Sequence, residues 1–248
     1  MTCDLFLRTY PADYAWLPFL FRSLIRHVRD FRNLIIVYPY NGPAPFGAAQ
    51  AREWGLRLGN ASVVDSVHDQ PTDRIYPDDY VGQQITKLRC HEYTDADEVC
   101  FLDSDFVFVR DFTPESLHPF RVECRPWDSV GKAQCWYPPT KILLREDPPY
   151  ETMARHPFQF PTALIKRCYE HVGGEAALLG FGAHFSEFNL LGNFAILHEG
   201  APAKLVELGD STKEARRDDF VKQFWSWGGV TADVFRTMKD LGYAEDRP

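Results

Sequence analysis

The sequence predicts an α/β protein with a doubly wound, largely parallel sheet flanked by helices. Short apolar segments of the length of a β-strand alternate with longer segments whose apolar residues recur at helical spacing. The strand-like segments are apolar almost throughout, as expected when helices cover both faces of a sheet. Turn residues separate these segments, as in Asn41-Gly42-Pro43. A chain of 248 residues buries a sizeable core, so we expect a single domain.

Three strand-helix units precede a fourth strand, and this order favours parallel pairing. Strands are predicted at residues 3–9, 33–38, 62–67 and 99–102, and helices at residues 14–28, 48–58 and 79–93. Asp79 is the predicted N-cap of the third helix. After Asp105 we expect short strands and proline-rich loops, with further helices at residues 161–172, 186–191 and 231–241.

The composition is that of a globular protein with an acidic surface. Hydrophobic residues make up 45% and charged residues 25% of the chain, and the formal net charge is -8. This charge disfavours nonspecific nucleic-acid binding, because phosphate neutralisation needs a basic surface. A nucleic-acid acceptor would need a local basic groove.

Cysteine usage and hydropathy predict the compartment. The six cysteines include no CxxC pair, and they do not have the Cys/His spacing of a zinc site, so we expect them to be reduced. The opening residues, MTCDLFLRTY, lack the pattern of a secretory signal, and no apolar run approaches the roughly 20 residues of a membrane span. We therefore expect a cytoplasmic protein without a transmembrane segment.

The strongest chemical signal is a pair of aspartates directly after the fourth strand, in Phe101-Leu102-Asp103-Ser104-Asp105. Residues i and i+2 of an extended chain point to the same side, so both carboxylates can converge on one ion. Carboxylate oxygens suit Mg²⁺ or Mn²⁺, and ligands of open parallel sheets bind beyond the carboxyl ends of the strands. The alternative is a strand cap followed by a turn, where aspartate is common.

This pattern resembles that of the DxD-motif glycosyltransferases of the GT-A fold, in particular the bacterial or viral type that uses nucleotide sugars. The resemblance implies a mixed, largely parallel Rossmann-like sheet in one domain, with a nucleotide-sugar-binding half at about 1–110 and an acceptor-binding half at about 111–248. It also implies that Asp103 and Asp105 bind Mn²⁺ or Mg²⁺ on the diphosphate of a UDP- or GDP-linked sugar, with Ser104 in the donor site. A hexose would pass to an acceptor hydroxyl.

The acceptor class follows from the resemblance alone. It implies a saccharide or glycolipid precursor of a cell-surface glycan, such as a lipopolysaccharide or capsule precursor. A modified nucleobase or a protein side chain is the alternative acceptor.

The helix before the aspartates resembles the helix that precedes the metal motif in many such enzymes. Gln84, Lys87 and His91 share one polar face of this helix, and Gln84 and Lys87 are candidates to contact the donor sugar or phosphates. An exposed polar face without a ligand is the alternative.

Residues 185–193 resemble a segment that follows the acceptor site in bacterial sugar transferases. Glu187 is the candidate general base or ligand of the acceptor hydroxyl, unless it only belongs to a helix cap after Ser186. His156 is a candidate for the acceptor groove. His198, predicted to follow a strand at residues 195–197, is a candidate third metal ligand or diphosphate contact, with a structural role as the alternative.

Two further segments are candidates for donor binding. The end of the first predicted strand, Arg8-Thr9-Tyr10, lies where this fold usually receives the nucleotide, so Thr9 and Tyr10 are candidates, and Tyr10 could stack on the base. Trp227 lies in Phe224-Trp225-Ser226-Trp227-Gly228-Gly229, a segment suited to a lid over the donor. A packed C-terminal tail is the alternative.

Two rival functions remain. In a haloacid-dehalogenase-like phosphatase Asp103 would be the nucleophile and Asp105 the acid/base, but that family usually places this loop after its first strand. The other rival is a nucleotide-sugar-binding module without catalytic turnover.

Overall fold

The computed structural model of the chain describes residues 1–39, 45, 62–68, 76, 78–153, 157–182, 184–206, 220–224 and 226–244. Of residues 62–68, 133 and 227 it describes the backbone alone. The predicted helix at 48–58 and the candidate His156 lie outside the described residues.

The described residues form nine strands and seven α-helices, joined by short 3-10 turns. The strands are β1 (Cys3–Arg8), β2 (Asn33–Tyr38), β3 (Ser62–His68), β4 (Glu98–Leu102), β5 (Phe106–Phe108), β6 (Val122–Cys124), β7 (Phe158–Pro161), β8 (Ala203–Leu205) and β9 (Val221–Gln223). The helices are α1 (Leu17–His27), α2 (Asp79–Leu88), α3 (Tyr137–Leu144), α4 (Thr162–His171), α5 (Gly174–Phe181), α6 (Glu187–His198) and α7 (Ala232–Asp240).

The central sheet has five strands in the order β3-β2-β1-β4-β7. The first four are parallel, with Leu7 of β1 opposite Ile36 on one side and Leu102 on the other. β7 is antiparallel to β4. The sheet is therefore mixed and largely parallel, which confirms the predicted fold class.

Alternating side chains of the sheet enter two hydrophobic cores, as the twofold period of a strand requires. Leu5 and Leu7 pack with α1 on one face, whereas Phe6 packs with α2, α4 and α6 on the other. Both sets are fully buried, which explains why these strands are apolar almost throughout. Helices on both faces leave the ends of the strands as the accessible part of the sheet.

The second half of the chain returns to the first through a two-stranded sheet. β9 pairs with β5, the strand that follows the two aspartates, and the pairing is antiparallel. Beyond β9 the backbone N–H of Phe224 donates to the carbonyl oxygen of Asp105 over 2.7 Å. The C-terminal segment is thereby fixed beside the aspartates.

The predicted boundaries of two helices need correction. A 3-10 helix at Pro11–Trp16 precedes α1, which begins at Leu17. The N-cap of α2 is Asp78 rather than Asp79, since the Asp78 side chain accepts from the Val81 N–H over 2.6 Å.

The largest difference concerns α6, which continues to His198 where a strand was predicted at residues 195–197. Nine consecutive residues of α6 are buried, so the sequence lacks the alternation of apolar and polar faces that reveals a helix.

All six cysteines are free in the structure, and five of them are buried. Among the described helices, none combines the length and the apolar character needed to cross a membrane.

Candidate active site

The candidate site lies at the carboxyl ends of β1 and β4, two adjacent strands at the centre of the sheet. Strand order runs outward from β1 to β3 on one side, and β4 lies on the other side of β1. In open α/β sheets the ligand crevice lies at such a point, between the carboxyl ends of the two strands. Thr9 follows β1, and Asp103 to Asp105 follow β4. The hydroxyl of Ser104 donates to the hydroxyl oxygen of Thr9 over 3.0 Å and ties the two strand ends together.

A buried lysine joins the first aspartate to the candidate general base. The Nζ atom of Lys87 lies 2.7 Å from Oδ1 of Asp103 and 2.8 Å from Oε1 of Glu187. The ammonium group also lies 4.6 Å from the centroid of the Phe188 ring, a cation–π distance. Burial disfavours the charged amine, but the two carboxylates raise the pKa of Lys87 above its usual range.

The positions of these side chains follow from the local structure. Lys87 lies in the last turn of α2, whose apolar residues pack on the sheet and direct the lysine toward the end of β4. Glu187 opens α6, where the Ser186 hydroxyl accepts from the Asn189 N–H over 3.1 Å. The predicted helix cap is therefore present, and it places Glu187 at the site.

The second aspartate is held by the C-terminal segment. The backbone N–H of Ser226 donates to Oδ2 of Asp105 over 2.8 Å. An interaction with the Ser226 side chain lowers the pKa of Asp13, in the 3-10 helix after β1, and the pKa of Tyr10, although burial raises both overall. Ser226 thus links the loop after β1 to the loop after β4.

Carboxylates crowd this end of the sheet. Burial raises the pKa of Asp105 to about 7, and the negative charge of Asp103 adds to the increase. Burial also raises the pKa of Asp13 to about 6, again with a contribution from Asp103. Each shift shows that another negative charge is unfavourable here, so a bound cation would be stabilised.

The donor set fits a hard divalent cation. Asp103 and Asp105 offer oxygen ligands, and Mg²⁺ in proteins is usually bound by one or two carboxylates together with substrate phosphates and water. Their position at the crevice leaves the remaining coordination to a phosphate-bearing ligand.

His198 is not beside these aspartates, so the expectation of a third metal ligand there is wrong. It is the last residue of α6, eleven positions after Glu187, which a helix separates by about 16 Å. Its Nε2 instead lies 3.1 Å from Oε1 of Glu146. The physical reason is the helical conformation of residues 195–197.

On α2, the glutamine that approaches Asp103 is not the one that was predicted to contact the donor. Gln84 is buried, and its amide donates to the carbonyl oxygen of Phe185 rather than approaching Asp103. Its neighbour Gln83 reaches Asp103 Oδ1 at 3.4 Å. His91 falls beyond α2, in a 3-10 turn against Tyr169. A donor contact by Gln84 remains a prediction without a supporting contact.

The other three candidate donor-binding residues, Thr9, Tyr10 and Trp227, differ in their surroundings. Thr9 is buried against Ser104, so both hydroxyls have a structural contact at the strand ends, and their binding to a donor remains a prediction. Tyr10 is half-buried, and burial together with Asp13 raises its pKa to about 12. The side chain of Trp227 lies outside the described residues. Phe224 packs against Trp16, with ring centroids 6.0 Å apart.

Sequence reasoning missed Asp13, Tyr80, Gln83 and Ser226. Tyr80 lies in the first turn of α2, and burial together with the charges of Glu187 and Asp103 raises the pKa of its phenol. The signal for Asp13 was an acidic residue just after the first strand end. No local signal marks Ser226, because its role depends on the return of β9 to β5.

A separate cavity of about 260 Å³ lies near the opposite end of β4. Its lining includes Glu98, His118 and Gln159, where Nε2 of His118 lies 3.0 Å from a carboxylate oxygen of Glu98. Glu98 is the first residue of β4, whereas the aspartates follow its last residue. We therefore place the candidate active site at the aspartates, where the acidic groups and the strand ends meet.

The order and direction of the strands are those of a GT-A-like fold, which is the fold that the sequence resemblance implied. One solved structure to which the chain is similar is that of the galactosyltransferase LgtC in complex with donor and acceptor sugar analogues. It shares 15% sequence identity over 81% of this chain and 72% of that chain, with a TM-score of 0.50.

A second solved structure is that of the glycosyltransferase GlyE from Streptococcus pneumoniae TIGR4. It has a TM-score of 0.48 and 9% identity over 84% of this chain, which spans 45% of that chain. No protein-family model and no curated protein matches the sequence.

Proposed function

We propose that the chain is a metal-dependent glycosyltransferase that moves a sugar from a nucleotide-diphosphate donor to an acceptor hydroxyl. The observation that carries the proposal is the contact of one buried lysine, Lys87, with both Asp103 and Glu187 at the central crevice. One side chain thus joins a carboxylate suited to a metal-diphosphate complex to a carboxylate suited to an acceptor hydroxyl. Galactosyl transfer, the activity named for LgtC, suggests the same hypothesis.

Asp103 and Asp105 are the proposed metal ligands, with Mn²⁺ or Mg²⁺ as the ion. When bound, a divalent ion would neutralise charge on the departing nucleoside diphosphate. Lys87 orients Asp103 through its 2.7 Å contact, and the Ser226 N–H orients Asp105 over 2.8 Å. Both carboxylates are therefore positioned before a donor binds.

Glu187 is the proposed group that receives the proton of the acceptor hydroxyl or fixes that hydroxyl for attack on the anomeric carbon. It is buried at the first turn of α6, and Lys87 holds one of its oxygens. A carboxylate fixed in this way keeps its orientation toward the crevice. The proposed acceptor is a saccharide or glycolipid precursor.

The donor base is proposed to bind at the end of β1. Tyr10 is half-buried there, and its ring is the proposed surface for stacking on the base of a UDP- or GDP-linked sugar. The segment around Ser226, with Trp227, is the proposed lid, since it already contacts Asp105. Residues 1–110 would then carry the donor and the rest of the chain the acceptor.

The experiment is release of nucleoside diphosphate from a panel of UDP-, GDP- and dTDP-sugars, with Mn²⁺ or with EDTA. Saccharide and glycolipid acceptors are added in separate reactions. The test variant is Asp103→Ala/Asp105→Ala, and Asp111→Ala is the matched control because Asp111 is an exposed aspartate paired with His27. We expect metal-dependent release from one donor class, retained in the control and lost in the test variant.

Two results would overturn the proposal. Hydrolysis of a generic phosphate ester, with no release from any donor, would support the phosphatase alternative in which Asp103 is a nucleophile. Donor binding that depends on Asp103 and Asp105, without turnover for any acceptor, would support the binding module.

A further inference from the structure

The carboxyl-terminal ends of three helices converge away from the aspartates. α3 ends at Leu144, α4 at His171 and α6 at His198, and Glu146 follows α3 by two residues. One ligand atom from each of Glu146, His171 and His198 lies within 4.8 Å of the other two. No other described group of three histidine, cysteine or acidic side chains brings its ligand atoms this close.

We propose that Glu146, His171 and His198 bind a borderline divalent transition ion, with Zn²⁺ as the specific ion. Two imidazoles and one carboxylate form the kind of donor set that suits Zn²⁺, whereas Mg²⁺ and Ca²⁺ favour oxygen ligands alone. Zinc–ligand distances of about 2.0–2.1 Å imply that ligand atoms of a tetrahedral site are roughly 3.3 Å apart. Nε2 of His198 and Oε1 of Glu146 are already 3.1 Å apart.

The surroundings of the two histidines support the site. Nε2 of His171 lies 3.2 Å from the carbonyl oxygen of Leu144, so this carbonyl can accept an imidazole N–H and orient the ring. Ligating histidines commonly donate their second ring nitrogen in this manner. Phe194 contacts both imidazoles, with ring centroids 5.3 Å from His171 and 4.8 Å from His198.

The helix ends favour a cation electrostatically. The last carbonyl groups of a helix carry partial negative charge, and three helices end at this cluster. Arg167 and Glu199 form a two-point ion pair at 2.7 and 2.8 Å that joins α4 to the end of α6 beside the cluster. The histidine-bearing ends of α4 and α6 are thus held together without the ion. Glu146 is exposed, so it can move to complete the coordination.

This site is separate from the proposed donor site. His198 is about 16 Å along α6 from Glu187. An ion here would fasten α3, α4 and the far end of α6 to one another, and α6 carries Glu187 at its other end. The ion is therefore expected to stabilise the acceptor-binding half rather than to contact the reacting groups.

The test measures Zn²⁺ binding to the full chain after EDTA treatment, with the Asp103→Ala/Asp105→Ala chain used to remove the aspartate site. Binding is followed by competition with a chromogenic chelator, and Co²⁺ absorption reports histidine ligation. Test variants are His198→Gln and Glu146→Gln in that background. His27→Gln is the matched control, because His27 pairs with one carboxylate, Asp111 at 3.0 Å, but has no second histidine in a ligand group.

We expect one Zn²⁺ per chain in the aspartate-free background and in the His27→Gln control. His198→Gln should weaken Zn²⁺ binding by more than about tenfold. Removing only an outer partner of a ligand already costs about that much, and His198 is a proposed ligand itself. Zn²⁺ should raise the melting temperature, and this shift should disappear in His198→Gln. Circular dichroism confirms folding, which both test substitutions should preserve because their side chains are partly exposed.

Three outcomes would overturn the site. The first is absence of Zn²⁺ binding in the aspartate-free background, which would place all metal binding at Asp103 and Asp105. The second is equal affinity in His198→Gln and in the control. The third is a Co²⁺ spectrum that the two test substitutions leave unchanged.

Discussion

Lys87 and Glu187 form a buried ion pair of 2.8 Å although they are 100 residues apart in the chain. The same ammonium group contacts Asp103 at 2.7 Å. One side chain therefore connects α2, the loop after β4 and the first turn of α6. The central crevice is fixed by tertiary contacts before any ligand binds, and its contacts can be tested separately from activity.

Lys87→Met should lower the free energy of unfolding by about 3 kcal/mol, because it leaves two carboxylates close together without their shared cation. Chemical denaturation of the metal-free protein measures this loss. Lys141→Met is the matched control, since Lys141 pairs with Asp147 on the exposed surface, and its denaturation midpoint should match the wild type. A Lys87→Met loss below about 1 kcal/mol would mean that the pair is no more important than a surface pair.

The central strands were predictable from the sequence because each is buried on both faces, so its apolar run shows no competing pattern. β2 was predicted with its observed bounds, and β1 and β4 differ from prediction by a single residue at one end. Their order followed from the alternation of strands and helices. The position of the aspartates at a strand end came from the same reasoning.

Contacts between segments that are distant in the chain could not be predicted from the sequence. β7 joins the sheet by antiparallel pairing with β4 from a four-residue segment that ends in proline. α6 is buried around most of its surface, so its sequence shows no helical period. Ser226 reaches Asp105 only because β9 returns to β5, and nothing in the residues near Ser226 indicates that contact.

Stability of the metal-free protein should fall as the pH rises from about 4 to about 7, because of Asp105. The pKa of this carboxyl is about 7 in the folded chain, whereas an unfolded aspartate has a pKa of about 3.9. Between these values the folded state binds more protons than the unfolded state, so raising the pH costs stability, and the loss ends above about 7. Thermal unfolding in EDTA across this range measures the slope.

Mn²⁺ should stabilise the protein more at about pH 8 than at about pH 5.5, because the cation binds the ionised form of Asp105. Melting temperatures with Mn²⁺ and with EDTA at the two pH values provide the measurement. Asp105→Asn should abolish most of the difference. Equal Mn²⁺ shifts at both pH values would show that this carboxylate is not a ligand.

Gly192→Ala should destabilise the protein by about 1–3 kcal/mol, although alanine favours helix formation. An added Cβ at Gly192 would lie 2.5 Å from Cβ of Thr152, so α6 can approach this segment only with glycine there. Denaturant unfolding compares it with Gly180→Ala in α5, where an added Cβ meets nothing within 4 Å. The control should gain up to about 1 kcal/mol from helix propensity. A gain at both positions would contradict the close approach.

Glu187→Gln should lower kcat for sugar transfer by about 10²–10⁴, the contribution typical of a positioned general base. The amide oxygen can still accept from Lys87, so the first turn of α6 should keep its place, and the Km for the acceptor should change little. Steady-state kinetics with varied acceptor measure both constants. Glu170→Gln, on the exposed surface of α4, is the control and should match the wild type.

The two proposed roles of Glu187 differ in which constant changes. A general base is required only when the hydroxyl attacks, so its loss lowers kcat and removes the acidic limb of the pH profile. A group that only binds the acceptor contributes equally to the bound and the transition state, so its loss raises Km and leaves kcat unchanged. A raised Km with normal kcat would therefore assign Glu187 to acceptor binding. The base would then have to be sought among the other carboxylates of the crevice, of which Asp13 is buried near Asp105.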